Sequence, residues 1–292
     1  MSGEQTDSRD ATAEALRRDA RRLQGALGLH ARQARLEVER LLMHALGIGR
    51  AQLIAHPEKA ALAATDVRYA AMLARRLAGE PLDYILSRRE FYGLEFEISP
   101  AVLIPRADTE LLVELALARV PPDGRGCIAD LGTGSGCVAI AIACARPGLR
   151  VLAIDRSREA LRVAARNRLR HRAYNVLLAQ GDWLAGVAPG ALCGIVSNPP
   201  YVRSDDPHLP ALAREPQTSL VSGADGLQDW RHIVLQAPRC LAAHGWLLME
   251  HGYDQAASCR ALLDSGGFAD VFSARDLGGH ERVSGGSAGR GG

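Results

Sequence analysis

From residue 126 onward, short apolar runs alternate with stretches of helical periodicity. That alternation is the strongest constraint on how this chain folds. Residues 127–131, 151–155, 176–180, 194–197 and 246–250 are each short, apolar and rich in β-branched or aliphatic side chains. Helical patterns fit between them at 136–145, 157–170 and 228–243. Strands separated by helix-length segments cannot pair as tight hairpins. They predict a mostly parallel sheet with helices on both faces.

Two loops at strand ends carry the chemistry. The first, Asp130-Leu131-Gly132-Thr133-Gly134-Ser135-Gly136, joins the first strand to a helix. Its glycines let the backbone approach a ligand, and the helix start favours negative charge. Asp155 ends the second strand, 19 residues past Gly136, where a carboxylate can accept from both ribose hydroxyls. A nicotinamide fingerprint can be forced at Gly134, Gly136 and Ala139. The acid ahead of the glycines argues instead for a ligand with a cationic amino-acid end, since it would repel a pyrophosphate. Asp182 and Trp183, closing the third strand, are placed to meet an adenine amine and its ring. A turn aspartate beside a packed surface Trp fits those two equally well.

The second loop, Asn198-Pro199-Pro200-Tyr201, follows the fourth strand. A carboxamide oxygen and a backbone carbonyl beside Pro199 can accept the two hydrogens of a planar nitrogen. Adjacent prolines stiffen the loop so that these acceptors are placed in advance. Tyr201 is expected to add an aromatic wall. Alone, the motif also reads as a Pro-rich turn.

Ahead of this region the pattern is helical. Leu16, Ala20, Leu23 and Leu27 form one stripe, stopped by Gly28, and Leu36, Leu41, Leu42, Ala45 and Leu46 form a second, stopped by Gly47. Tyr69, Met72, Leu73, Arg76 and Leu77 form a third, with Thr65 as expected N-cap and Gly79-Glu80-Pro81 as the stop. Residues 89–99 alternate around Gly93 as a short hairpin, and a helix beginning at Asp108 as its cap follows. The expected division is a loose tail at 1–8, a helical bundle at 9–85 and a hairpin linker at 86–106. The α/β domain then occupies 107–284, and a Gly- and Ser-rich mobile tail 285–292.

The 292 residues carry a net charge of only +2, without the electrostatic footprint of a nucleic-acid binder. No apolar run reaches 18 residues, so no membrane span is expected. The six cysteines form no Cys-x-x-Cys pair, and no metal site is expected. The polar, acidic start lacks leader character, and a reducing, cytoplasmic setting is the expectation.

These motifs together resemble the PrmC/HemK family, the protein-(glutamine-N5) methyltransferases of class-1 peptide-chain release factors. The likeness spans residues 14–284. It also rests on Tyr84-Ile85, Arg89-Glu90-Phe91-Tyr92-Gly93, Ile104-Pro105-Arg106, Asp108-Thr109-Glu110, Asp206-Pro207-His208-Leu209, Glu250-His251-Gly252 and Glu281-Arg282-Val283. The resemblance implies a Rossmann-like, seven-stranded S-adenosylmethionine-dependent methyltransferase domain behind a helical substrate-binding bundle, with the last strand antiparallel. It implies S-adenosyl-L-methionine as methyl donor, S-adenosyl-L-homocysteine as product, and the glutamine of a Gly-Gly-Gln loop as acceptor. By position, Asp130, Gly132, Thr133, Gly134, Ser135, Gly136, Asp155, Asp182, Trp183 and Asn198 would meet the cofactor. Asn198, Pro199, Pro200 and Tyr201 would grip the glutamine amide, Asn198, Pro199 and Tyr201 forming the catalytic set, with Arg106 as a substrate contact. A monomer without nucleic acid or membrane partners is expected. A DNA or RNA amino-methyltransferase could use the same Asn-Pro-Pro-Tyr on a flipped base. A binding protein without activity is a further alternative. The chain departs from the family at Ala107, where Pro is usual, and after Val283, where Ser-Gly-Gly-Ser replaces an apolar strand finish. His251, beside a strand end, reads as structural rather than as a base.

Overall fold

The computed structural model describes residues 2–55 and 66–289. The chain divides into two compact units, Met1–Ser87 and Arg88–Gly292.

The first unit is helical: α1 (Ser2–Leu27), α2 (Ala31–Leu46), α3 (Arg50–Ala55), α4 (Val67–Leu77) and α5 (Leu82–Leu86). The predicted stripes become its core, with Leu23, Val38, Leu41, Leu42, Tyr69 and Leu73 buried together. Gly28 and Gly47 follow α1 and α2 with φ of 67° and 65°, the left-handed turn that releases a helix end. Residues 2–8 are helical rather than a loose tail, because no glycine or proline interrupts the chain between Glu4 and Gln24. Thr65 lies outside the described residues; Asp66 caps α4, accepting from Arg68 N at 2.7 Å. Inside this core the Asp19 carboxylate takes the Tyr69 hydroxyl at 3.0 Å and the guanidinium groups of Arg18 and Arg22. Burying it is tolerable because each oxygen has a donor.

The second unit opens with a two-stranded hairpin, β1 (Arg88–Phe91) and β2 (Leu94–Glu97). It is no linker. Phe91 and Phe96 sit in the main core, and the backbone of Glu97 is bonded to Asn167. A 3-10 turn, Ala107–Thr109, then leads into α6 (Glu110–Arg119). Asp108 does not cap that helix; its carboxylate pairs with Arg282 at 3.2 Å.

The remaining elements are β3 (Gly126–Leu131), α7 (Cys137–Ala145), β4 (Leu149–Asp155), α8 (Arg158–Arg170), β5 (Val176–Gln180) and β6 (Leu192–Ser197). After them come α9 (Gln228–Cys240), β7 (Leu241–Glu250), α10 (Ala256–Ser265), β8 (Phe268–Arg275) and β9 (Glu281–Ala288). They build one seven-stranded sheet in the order β5-β4-β3-β6-β7-β9-β8. β3 to β7 run parallel, and β9 runs opposite to the other strands of the sheet, antiparallel to both β7 and β8. One core packs α6 and α7 against the sheet, the other α9 and α10. The helix expected over 228–243 ends at Cys240, where the chain turns extended into β7.

Residues 285–288, expected to belong to a mobile tail, are instead the second half of β9, inside the sheet. A Cβ on Gly285 would lie 2.4 Å from the Leu247 carbonyl oxygen, and one on Gly286 would lie 2.9 Å from that of Ala269. Glycine is required there by close packing of strands, which its composition disguises as flexibility. Residues 290–292 lie outside the described residues. Among the described residues no helix is long and apolar enough to cross a membrane.

Ser284, on β9, is fully buried and completes a directed chain. Arg260 Nη1 donates to Ser273 Oγ (2.6 Å), Ser273 lies 2.7 Å from Ser284 Oγ, and Ser284 lies 2.8 Å from His251 Nε2. His251 Nδ1 reaches the Gly252 carbonyl at 2.8 Å, so Nδ1 carries the hydrogen and Nε2 accepts. The fully buried ring is thus a neutral strut, and burial lowers its pKa. The unfolded chain then binds more protons just below the ordinary histidine range. Stability should be full above that range and fall as pH drops through it, with a slope from this site of at most about 1.4 kcal/mol per pH unit. Urea titrations from pH 8 to 5 should show a shallower decline for His251→Gln; parallel curves would remove His251 from the acid response.

Candidate active site

The sheet reverses its winding between β3 and β6: β4 and β5 lie on one side of β3, and the chain returns on the other. Loops leaving the carboxyl ends of β3, β4 and β6 therefore diverge there, which is where open α/β sheets form clefts. A cavity of about 320 Å³ occupies the place.

The glycine loop forms one wall. Gly136, the N-cap of α7, has φ of 80°, and a Cβ there would press on Ile140 and Ala164 at 3.1 and 3.2 Å. Below the loop, Asp130 is buried and its Oδ2 accepts from Thr133 Oγ1 at 2.6 Å and Ala139 N at 3.1 Å. Burial raises its pKa to about 7; those two donors oppose the shift, and the nearby Asp155 charge adds to it. Asp155 Oδ2 accepts from Gly134 N, and its Oδ1 from Ser157 N, both at 2.8 Å. The carboxylate thus holds the loop and the start of α8 in register.

Trp183 and the exposed Asp182 line the opposite rim. Trp183 has φ of 45°, a strained conformation for so large a residue. Its ring lies 3.4 Å from where a Gly132 Cβ would stand. Glycine at 132 is what lets the indole close on the loop.

Asn198 and Pro200 line the cavity, whereas Pro199, Tyr201 and Gly136 do not. Asn198 Nδ2 donates to Thr109 Oγ1 at 3.1 Å, which leaves the carboxamide oxygen as the end offered to a ligand. Tyr201 is not the expected wall. The residue is half-buried and does not line the cavity, its hydroxyl donates to Glu250 Oε1 at 3.2 Å, and its backbone is tied to Leu220 and Gln255. Burial, then the Glu250 charge, pushes the Tyr201 pKa up, so the phenol keeps its proton. Glu250 is itself 1% exposed. Burial lifts its pKa to about 7, against the Thr109 and Tyr201 hydroxyls.

Two supports were invisible in the sequence. Glu215 is buried; its Oε2 accepts from Ile104 N at 3.2 Å and its Oε1 pairs with Arg106. That bond fixes Arg106, a lining residue, to the segment after β6. Asn167, fully buried on α8, accepts from Glu97 N at 2.7 Å and donates to the carbonyls of Glu97 and Ser135, both at 2.9 Å. It clamps the hairpin to the glycine loop. Asn167→Leu strands these backbone groups and should cost roughly 1–3 kcal/mol by urea denaturation. An unchanged midpoint would show that the clamp carries no stability.

Similarity to known proteins agrees with this geometry. Residues 14–86 match the PrmC N-terminal domain, and residues 107–215 match the methyltransferase small domain. A release factor glutamine methyltransferase of Burkholderia pseudomallei is 49% identical over 259 residues, covering 86% of this chain and 91% of that protein. One of Pseudomonas aeruginosa is 47% identical over 253 residues, covering 86% and 91%. In fold, a methyltransferase from Pyrococcus furiosus superposes with a TM-score of 0.53 at 18% identity, over 75% of this chain and 99% of that one. With nearly all of its relatives' length and the carboxylate-bearing glycine loop in place, the chain belongs to the release factor glutamine methyltransferase family.

Proposed function

We propose that this protein transfers a methyl group from S-adenosyl-L-methionine to the side-chain amide nitrogen of the glutamine in the Gly-Gly-Gln loop of class-1 peptide-chain release factors. The observation that carries the reading is the fixed polarity of the Asn198 carboxamide at the cavity wall. An amide nitrogen is a poor nucleophile because its lone pair is delocalised. An oxygen accepting from its N–H localises density on nitrogen, and a carboxamide held by Thr109 presents that oxygen without a search. The backbone carbonyl beside Pro199 is the second acceptor, held by proline stiffness.

The lining fits the methyl donor. Asp130 and Asp155 flank the glycine loop, an arrangement that repels a pyrophosphate and suits a cationic amino-acid end. Asp155 would hold the ribose, and Asp182 with Trp183 the adenine. The donor supplies an electrophilic sulfonium methyl. As the nitrogen–methyl bond forms, the sulfur–methyl bond breaks to leave S-adenosyl-L-homocysteine, and one amide proton departs through the acceptors that held it to solvent. The protein takes no covalent part, and its contribution is positioning and electrostatics. The helical bundle contains none of these groups. We assign it to recognition of the release factor, since one glutamine offers too little surface for selective binding.

Asp155→Ala should weaken S-adenosylmethionine binding by roughly 1.5–3 kcal/mol, the worth of hydrogen bonds to a charged group. Calorimetry returning the wild-type affinity would remove Asp155 from the cofactor site. Asn198→Ala should lower turnover by roughly 10²–10³, the effect of losing one preorganised polar group, with cofactor affinity falling less. The assay follows labelled methyl into a release factor, with DNA and RNA as parallel acceptors. Label entering a nucleic acid and sparing the factor would overturn the substrate assignment.

A further inference from the structure

Beneath the Asn198 loop lies a buried acid whose hydrogen bonding is incomplete. Glu250, the last residue of β7, has one oxygen on the Tyr201 hydroxyl, while Oε2 has no partner among the described residues. Thr109, 3% exposed, faces the same carboxyl and draws its pKa down. Thr109 Oγ1 accepts from Asn198, so its own hydrogen is free to donate. A donor in need of an acceptor thus stands beside an acceptor in need of a donor. Left unpaired, that acceptor would cost about 1–3 kcal/mol, which a hydrogen bond from Thr109 offsets.

We propose that Glu250 is the positioning residue that sets which end of the Asn198 carboxamide faces the substrate, acting through Thr109; this rests on the methyl-transfer reading above. In its ionised form, favoured as the pH rises past about 7, the carboxylate only accepts. It draws both hydroxyl hydrogens, of Thr109 and of Tyr201, toward itself. The Thr109 lone pairs are then left to Asn198, which must turn its NH2 to them and its oxygen to the cavity. Hydrogen-bond direction thus runs one way, from Asn198 through Thr109 to Glu250. Tyr201, bonded to the same carboxyl, fixes the far end of the Asn-Pro-Pro-Tyr loop. A carboxamide at 250 has one acceptor for two hydroxyls and brings a donor of its own. One of the two hydroxyls must then reverse or go unmet. Where Thr109 reverses, it donates to the Asn198 oxygen and the wrong end meets the substrate.

The test compares Glu250→Gln, Thr109→Val, Thr109→Ser and the double variant Glu250→Gln/Thr109→Val. Glu250→Gln and Thr109→Val should each lower kcat on a release factor by roughly 10–100-fold, the cost of a slightly misplaced group. KM for the factor and S-adenosylmethionine affinity should change little. Thr109→Ser, which keeps the hydroxyl, should recover the activity lost in Thr109→Val. The double variant should lose no more than the worse single one, as expected for members of one relay. Wild-type kcat in Glu250→Gln, or losses that multiply, would overturn the proposal. So would a fall confined to cofactor affinity, which would mark a structural role. A second readout needs no acceptor: the Asn198 side-chain NH2 signals in nuclear magnetic resonance spectra, assigned by their loss in Asn198→Ala. They should shift in Glu250→Gln and Thr109→Val; unmoved signals would sink the relay even if release factors proved not to be the substrate. A wild-type protein that leaves the factor unlabelled would refute the substrate reading instead. Should Glu250→Gln not fold, the two Thr109 variants decide the matter.

Discussion

A carboxylate shut away from water must find donors, and at Asp130 that requirement organises the whole site. Its Oδ2 takes one hydroxyl from the glycine loop and one backbone N–H from the first turn of α7. The loop can satisfy it only by folding tightly over the end of β3, which takes positive φ at three glycines. Once folded, the loop offers Gly134 N to Asp155 and the Ser135 carbonyl to Asn167. β4, α8 and the hairpin are thereby tied to the same few residues. A near-neutral pKa for Asp130 is the electrostatic sign of that burial. Bringing a cation to the cavity would favour its ionised form, so the strain of burial and the attraction for a positive ligand are one property.

Much of this was legible along the chain. Parallel strands, the glycine loop, Asp155 and the Asn-Pro-Pro-Tyr loop each have short-range signals: apolar runs, glycine spacing, an acid at a strand end. What was not legible depends on contacts across long sequence separations. Asn167 is one polar residue on a helix thick with arginines, and only the arrival of Glu97 and Ser135 gives it three hydrogen bonds. Glu215 has its meaning from Ile104 and Arg106, more than a hundred residues earlier. Composition misled in β9, where glycine and serine signal mobility in isolation but an interior strand in place. There Ser284 closes the His251 chain and the glycines admit Leu247 and Ala269. Asp108 likewise has every local mark of a helix cap, yet an arginine from β9 takes its charge.

Glu250 and His251 are adjacent at the end of β7 and face opposite problems. The histidine is fully satisfied, donating on one nitrogen and accepting on the other, in a chain of donors that begins at Arg260. Nothing is left over for chemistry, which argues for a structural role. Beside it, the glutamate is incompletely satisfied in an equally buried place and touches the two residues that hold the Asn198 loop. The histidine, bonded to Ser284, braces the β7–β9 seam, while the glutamate, bonded to Tyr201, lies by the Asn198 loop.

That contrast explains why a weak nucleophile is served by so rigid a platform. On the proposed reading the amide is met by fixed acceptors, and neither Tyr201, which keeps its proton, nor His251, which is walled in, serves as a base. The remaining means is to hold acceptors where an amide must meet them, with their polarity decided beforehand. A loop with two prolines fixes the backbone carbonyl, but it cannot decide which end of a carboxamide side chain faces outward, since the two ends are nearly equal in shape. Only hydrogen-bond direction distinguishes them. In the proposed relay that direction comes from the Glu250 carboxylate, which only accepts once it is ionised.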